Sequence, residues 1–257
     1  MTCLDVNTFL GPYPFHDIGE WNAKILLQEM ERLGITESWI SSLPAVFSAD
    51  PASTNAGLYL AAHAQPRLRP VPAVHPGLPG WQDVVREAVA REAPCIRCDP
   101  TFRDLAADSP EMQALLALAA EQRLPLMMAV RLEDIRQRHP DDGTPELSPA
   151  MARTLIRHHA GARLIITHAD REFIEQVHFG STPAEASRIL WDISWIWGPP
   201  EDHLELLLRT VGRDRFTFGT GTPLRLPEAS IAKLDLLELG VDDRHRIEAG
   251  NLRAFLA

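Results

Sequence analysis

Arg163-Leu164-Ile165-Ile166-Thr167-His168-Ala169-Asp170 is the stretch on which the reading of this chain turns. A short, wholly apolar run ends in polar residues, and Arg171 to Val177 then reads as a helix. Strands covered by helices on their outer face are apolar throughout in this way, whereas half-exposed strands alternate. Asp170 stands where a helix-capping side chain would stand. Leu126-Met127-Met128-Ala129-Val130, ahead of a second capped helix at Ser148-Pro149, has the same form.

The rhythm extends in both directions. Strands are predicted at Cys3–Phe9, Ser38–Ser42, Arg69–His75, Ala93–Asp99, Pro125–Arg131, Arg163–His168, Ile189–Trp195 and Arg215–Thr220. Helices are predicted between them: Trp21–Leu33 (stopped by Gly34), Asp50-Pro51 to Ala64, Trp81–Glu92, Ser109-Pro110 to Gln122, Ser148-Pro149 to His159, Arg171–Val177 and Pro200–Val211. Pro227–Leu239 and Asp242–Leu256 close the chain. Strand–helix units of ~30 residues suit a (β/α)8 barrel. A doubly wound sheet would want a Gly-x-Gly-x-x-Gly after the first strand, and none follows. The chain therefore reads as one α/β domain over residues 1–257, a (β/α)8 TIM barrel with additional C-terminal helices.

The 257 residues carry a formal charge of -10, which argues against a nucleic-acid partner. No apolar run approaches the ~20 residues that cross a bilayer. No basic-then-apolar leader is visible, so a cytoplasmic protein without a membrane partner is expected. Cys95-Ile96-Arg97-Cys98 lies within a predicted strand, which suits structural or incidental cysteines better than a redox or zinc motif.

Polar residues at the C-terminal ends of barrel strands are the site candidates. Strand one offers Asp5, Asn7 and Phe9 on one face. His75 ends strand three, Arg97 and Asp99 lie on strand four, and Arg131 ends strand five. His168 ends strand six, Asp192 lies on strand seven, and Thr220 and Thr222 follow strand eight. His168 can move a proton near neutral pH, or serve as a satisfied structural histidine. Asp192 could orient it or balance Arg131. Arg97 and Arg131 suit an anionic substrate, or pair with Asp99, Asp192 or Glu133. Trp195 and Trp197 could form an apolar wall. The charged stretch 132–147 reads equally as a lid or as a solvated loop. No Gly-x-Ser-x-Gly elbow, His-Glu-x-x-His or glycine-rich phosphate loop is present.

The strand-one position, His168 after its apolar run, Phe218-Gly219-Thr220-Gly221-Thr222-Pro223 and the tail Ile247-Glu248-Ala249-Gly250-Asn251-Leu252-Arg253-Ala254-Phe255-Leu256 together resemble the amidohydrolase superfamily. The likeness is to the amidohydrolase-related group that includes aminocarboxymuconate-semialdehyde decarboxylase and pyrone-dicarboxylate lactonase. The resemblance implies a barrel whose metal is held by His-x-His on strand one, a histidine on each of strands five and six, and Asp on strand eight. Those positions fall on Asn7 and Phe9, near Ala129, on His168 and on Gly221, so only His168 keeps its type. Zinc wants about three protein donors in a catalytic site, so neither metal nor other cofactor is expected.

Three functions are open. The first is a metal-independent hydrolase of a small carboxylated substrate, with His168, Asp192 and Asn7 catalytic and Arg97, Arg131, His75, Thr220 and Thr222 binding. The second is a degenerate barrel that binds a ligand or partner without turnover. The third is a metal-dependent hydrolase or decarboxylase with a relocated site drawn from His16, His75, His168, Asp99 or Asp192. The closing helices could supply a homo-oligomer interface.

Overall fold

The computed structural model describes residues 2–257. The strands are β1 (Leu4–Leu10), β2 (Glu37–Ser42), β3 (Leu68–Pro70), β4 (Ile96–Arg97), β5 (Leu126–Ala129), β6 (Leu164–Thr167), β7 (Ile189–Asp192) and β8 (Phe216–Thr217). All pair in parallel, in the orders β1-β2-β3 and β4-β5-β6-β7-β8. Single bridges, Ala73 to Arg97 and Thr8 to Thr222, stitch the two runs into a closed (β/α)8 barrel.

Several strands are shorter than predicted, for local reasons. Pro70 and Pro72 have no N–H to donate, so β3 stops at Pro70 although the chain continues alongside β4. Val74 still donates to the Arg97 carbonyl at 2.9 Å. β8 ends early because the Phe218 N–H turns to the Ile247 carbonyl in the C-terminal segment.

The helices are α1 (Ala23–Leu33), α2 (Leu43–Phe47), α3 (Asn55–Ala64), α4 (Trp81–Ala90), α5 (Pro110–Glu121), α6 (Pro149–His158), α7 (Arg171–Phe179), α8 (Pro183–Ala186), α9 (His203–Leu207), α10 (Pro227–Leu236), α11 (Val241–His245) and α12 (Asn251–Leu256). Ser109, Ser148 and Asp170 accept backbone N–H bonds at the starts of α5, α6 and α7, as their spacing predicts. Gly34 closes α1 in the left-handed conformation that favours glycine. The predicted terminal helix is divided: a wider π-helical turn, Arg246–Gly250, joins α11 to α12.

Side chains alternate between two layers. Val6, Trp39, Val71, Cys95, Met127, Ile165 and Leu190, from β1 through β7 or the segments flanking them, pack together with Ala249 and Leu252 from the C-terminal segment. Ile40, Ile96, Cys98, Met128, Ile166, Trp191 and Phe216 instead face the helix layer. Cys95 and Cys98 thus belong to different layers, and both are free. Burial raises both thiols, that of Cys98 to about 12.

The expected shared face of Asp5, Asn7 and Phe9 holds for Asn7 and Phe9, which both meet the His168 ring, but not for Asp5. The β1–β2 register shifts between Asp5 and Thr8, giving β1 one extra residue. Val6 packs with the inner set while its neighbour Asn7 also reaches the strand-end cluster described below. Asp5 lies at the seam between β1 and the end of β8. It accepts from the Asn7 N–H (3.1 Å), the Thr220 N–H (3.0 Å) and the Thr220 hydroxyl (2.6 Å).

Burial pushes the Asp5 carboxyl up to about 7. The folded state then keeps a proton that the unfolded chain loses near pH ~4, so this group's contribution declines as pH rises towards 7. Asp5→Asn cannot titrate. Urea unfolding at several pH values from about 4 to about 7.5 should show the variant gaining on the wild type as pH rises.

Candidate functional site at the strand ends

His168 follows β6 directly and takes a left-handed backbone, φ 57, uncommon for a residue with a side chain. This turn aims its own N–H at Asp192 Oδ1, 2.9 Å away. Its ring Nδ1 lies 2.8 Å from the Arg131 carbonyl, which can only accept, so Nδ1 carries the proton. Nε2 is left with a lone pair and accepts from the Asn7 amide nitrogen at 2.9 Å. The second Asn7 amide proton goes to Asp192 Oδ2, also at 2.9 Å. All three residues are buried.

Burial, then the nearby Arg97 guanidinium, hold His168 down at about 3, so it is a neutral acceptor at physiological pH. Burial raises the Asp192 carboxyl, opposed by the hydrogen bonds from Asn7 and His168. Asn7 Oδ1 is buried with no hydrogen-bond partner. An acceptor left so is costly unless a donor arrives.

The structure thus brings His168, Asn7 and Asp192 together. The other predicted residues have different company. The Arg97 guanidinium is buried, held by Asp99 through Nε (2.8 Å) and Nη2 (3.3 Å), and lies 4.6 Å over the Phe9 ring. Asp99 in turn accepts from the Ala129 N–H at 2.7 Å, so the pair braces β4 against β5. Arg131 is matched by Asp170 (2.6 Å) and Glu146 (2.9 Å). His75 accepts from the Gly77 N–H on its own loop. Thr220 belongs to the Asp5 seam, and the Thr222 N–H donates back to the Thr220 hydroxyl.

Arg225 escaped the sequence reading. It lies in the loop between β8 and α10, four residues beyond Gly221, where no periodicity marks it. Its guanidinium sits 4.2 Å over the Trp195 ring, and Trp195 lies 5.6 Å from the His168 ring. The residue is half-buried, and burial lowers its pKa. Lys233 was also missed. Its ammonium is buried and donates to the Ile193 and Ser194 carbonyls at 2.8 and 3.0 Å, fixing the turn that carries Trp195.

An aromatic cluster covers the site. Phe9, Tyr13, Leu43, Val46, Ala129 and Leu132 pack there with Phe15, Phe47 and Phe102. The loop 132–147 is tied to this cluster: Glu133 accepts from the Tyr13 hydroxyl (2.7 Å) and pairs with His16 (2.9 Å), and His139 stacks on Phe15. A neighbouring cavity of about 310 Å³ is lined by Arg131, Glu146, Leu147, Asp170 and Phe173, but by neither His168 nor Asn7.

The residues at the metal positions implied by the resemblance do not fit a divalent cation. Phe9 offers no donor, and the lone pair of His168 faces Asn7. Gly221 has φ 73, and a Cβ there would lie 2.7 Å from His168 Nε2 and 3.2 Å from Arg225 Cδ, so an acidic side chain in its place would strain the backbone and have to displace both neighbours. Among the described residues, no group of three or more His, Cys, Asp or Glu is placed to hold a metal ion. No helix among them is long and apolar enough to cross a membrane.

No protein-family model and no curated protein matches this chain. Solved structures do. A 2,6-dihydroxybenzoate decarboxylase complexed with 2,6-dihydroxybenzoate superposes with a TM-score of 0.77 at 15% identity, covering 99% of each chain. A dihydroxybenzoic acid decarboxylase from Polaromonas sp. JS666, with bound manganese and 2-nitroresorcinol, gives 0.75 at 13%, covering 99% of this chain and 96% of that one. A probable 2-pyrone-4,6-dicarboxylic acid hydrolase from Acinetobacter baumannii, with citric acid bound, gives 0.71 at 11%, covering 100% and 99%. These neighbours come from the group that the sequence resembles, and what this chain shares with them at such identities is the fold.

Two outcomes follow from the cluster. Nitrogen-15 spectra should find the His168 ring as the Nδ1–H tautomer, without protonation from pH ~8 down to ~5. Asn7→Ala leaves a buried ring nitrogen and a buried carboxylate oxygen short of a donor, and should cost about 2–4 kcal/mol in urea unfolding.

Proposed function

We propose that this chain is a metal-independent hydrolase of amidohydrolase type that acts on a small carboxylated substrate. The observation that carries the reading is the convergence of His168, Asn7 and Asp192 into one buried hydrogen-bonded cluster at the strand ends. His168 is neutral, and its Nε2 lone pair could take a proton from an attacking water once the Asn7 amide yields its place. The proton passes from water to Nε2 as the water oxygen bonds the acyl carbon, then from Nε2 to the leaving group. Nδ1–H stays on the Arg131 carbonyl throughout and fixes the ring.

Positive charge from Arg97, Arg225 and Arg131 adds to burial in holding His168 acidic. A bound carboxylate would offset that charge and make His168 more basic, so the base would strengthen when substrate is present. The solved neighbours support the substrate class, since their ligands include citric acid and 2,6-dihydroxybenzoate.

A second reading, binding without turnover, is favoured by the engagement of both ring nitrogens and by the aromatic cover. The test is a mass-spectrometric screen of small carboxylated lactones, esters and amides, using protein treated with a chelator. Turnover that survives chelation and falls ~100-fold or more in His168→Gln is the expected result. Activity lost on chelation and restored by zinc or manganese overturns the metal-independent reading. Tight binding with no product selects the second reading, and neither binding nor product rejects both.

A further inference from the structure

We propose that the Arg225 guanidinium takes the place of the divalent cation, as the fixed positive charge that receives the ligand's carboxylate at the barrel mouth. The inference rests on the small-carboxylate reading above and names the residue that serves it.

Arg225 differs from the other arginines near the site. Arg97 has Asp99, and Arg131 has Asp170 and Glu146. Arg225 makes no ion pair and no hydrogen bond among the described residues. It is nevertheless held in place. Its guanidinium lies over Trp195, and its stem packs where a Cβ on Gly221 would stand, with Cδ and Cγ at 3.2 and 3.4 Å from that point. A half-buried cation with no direct ion pair has lost hydration, and Asp192 and Asp134 compensate its charge only from a distance. A planar guanidinium with free N–H groups is suited to a carboxylate.

Its position links it to the metal position that the resemblance implies. Gly221 occupies the place of the strand-eight acidic ligand in the resemblance, and two groups fill the volume a side chain would need there: the His168 Nε2 edge and the Arg225 stem. The loss of the acidic ligand and the arrival of the cation are thus one packing change. The mouth exchanges a metal held by charged ligands for a guanidinium beside a neutral histidine. A second observation narrows the ligand. Asn7 Oδ1 is buried and lacks a donor, so a carboxylate that also bears a hydroxyl or N–H meets more of the site than a bare one.

The experiment is isothermal titration with 2-hydroxybenzoate, using 2-hydroxybenzamide as the uncharged control. Wild-type protein should bind the acid roughly ten- to a hundredfold more tightly than the amide, as charge-assisted hydrogen bonds allow. Arg225→Gln should erase that preference, and Arg225→Lys, which keeps the charge but not the fork, should retain part of it. Thermal unfolding of both variants checks that they fold, and the lysine variant carries the test if the glutamine variant does not.

Equal binding of the acid by wild type and Arg225→Gln would overturn the role of Arg225 and leave the small-carboxylate reading standing. Binding that depends on Arg225, with no product from any substrate in the screen, would support the anchor and reject hydrolysis. If neither 2-hydroxybenzoate, citrate nor inorganic phosphate binds the wild type, the anchor is rejected together with the reading beneath it.

Discussion

Asn7 sends one amide proton to His168 and the other to Asp192, and so ties the middle of β1 to the ends of β6 and β7. The rest of the site follows from that double donation. It requires His168 Nε2 to be an acceptor, which fixes the tautomer and keeps the ring uncharged. It turns Asp192 Oδ2 inward, while Oδ1 holds the backbone of His168 in a left-handed turn. A histidine at Asn7 would bring a bulkier ring and at most one proton to face two acceptors. The amide is thus a structural alternative to a metal ligand as well as a chemical one.

The fold was legible because its signals are local. Apolar runs covered on both faces, and the serine or aspartate ahead of α5, α6 and α7, identify a strand and a cap without reference to the rest of the chain. The parts that were not legible depend on contacts between distant residues. The extra residue in β1 is set by pairing with β2, and nothing in Leu4 to Leu10 announces it. Arg97 and Asp99 lie two apart on one strand, and pairing between them was one of the open readings, yet only the packing shows how fully each is engaged. His168 and Asp192 could be named because each sits at or beside a strand end, and Asn7 because the resemblance marks its place on strand one. Arg225 could not, because a loop arginine acquires meaning only from the indole beneath it.

One departure from the metal set that the resemblance implies is at Gly221. At Gly221 the backbone is left-handed, and the space beside it is shared by an imidazole edge and an arginine stem. A single substitution towards an acidic residue would meet a strained backbone and two occupied volumes together. The metal set that the resemblance implies would need changes at Asn7, Phe9, Ala129 and Gly221 in concert, with the Arg225 stem displaced. Such a combination is far from this sequence, because partial sets leave buried donors or charges without partners.

The contacts of Glu133 have a kinetic consequence. One carboxylate holds both Tyr13 and His16, and the same loop lays His139 on Phe15. A molecule passing this cover would have to undo these contacts together, so capture and escape would keep the tempo of the loop rather than that of diffusion. Residence time, more than equilibrium affinity, would then be the property that Glu133 governs.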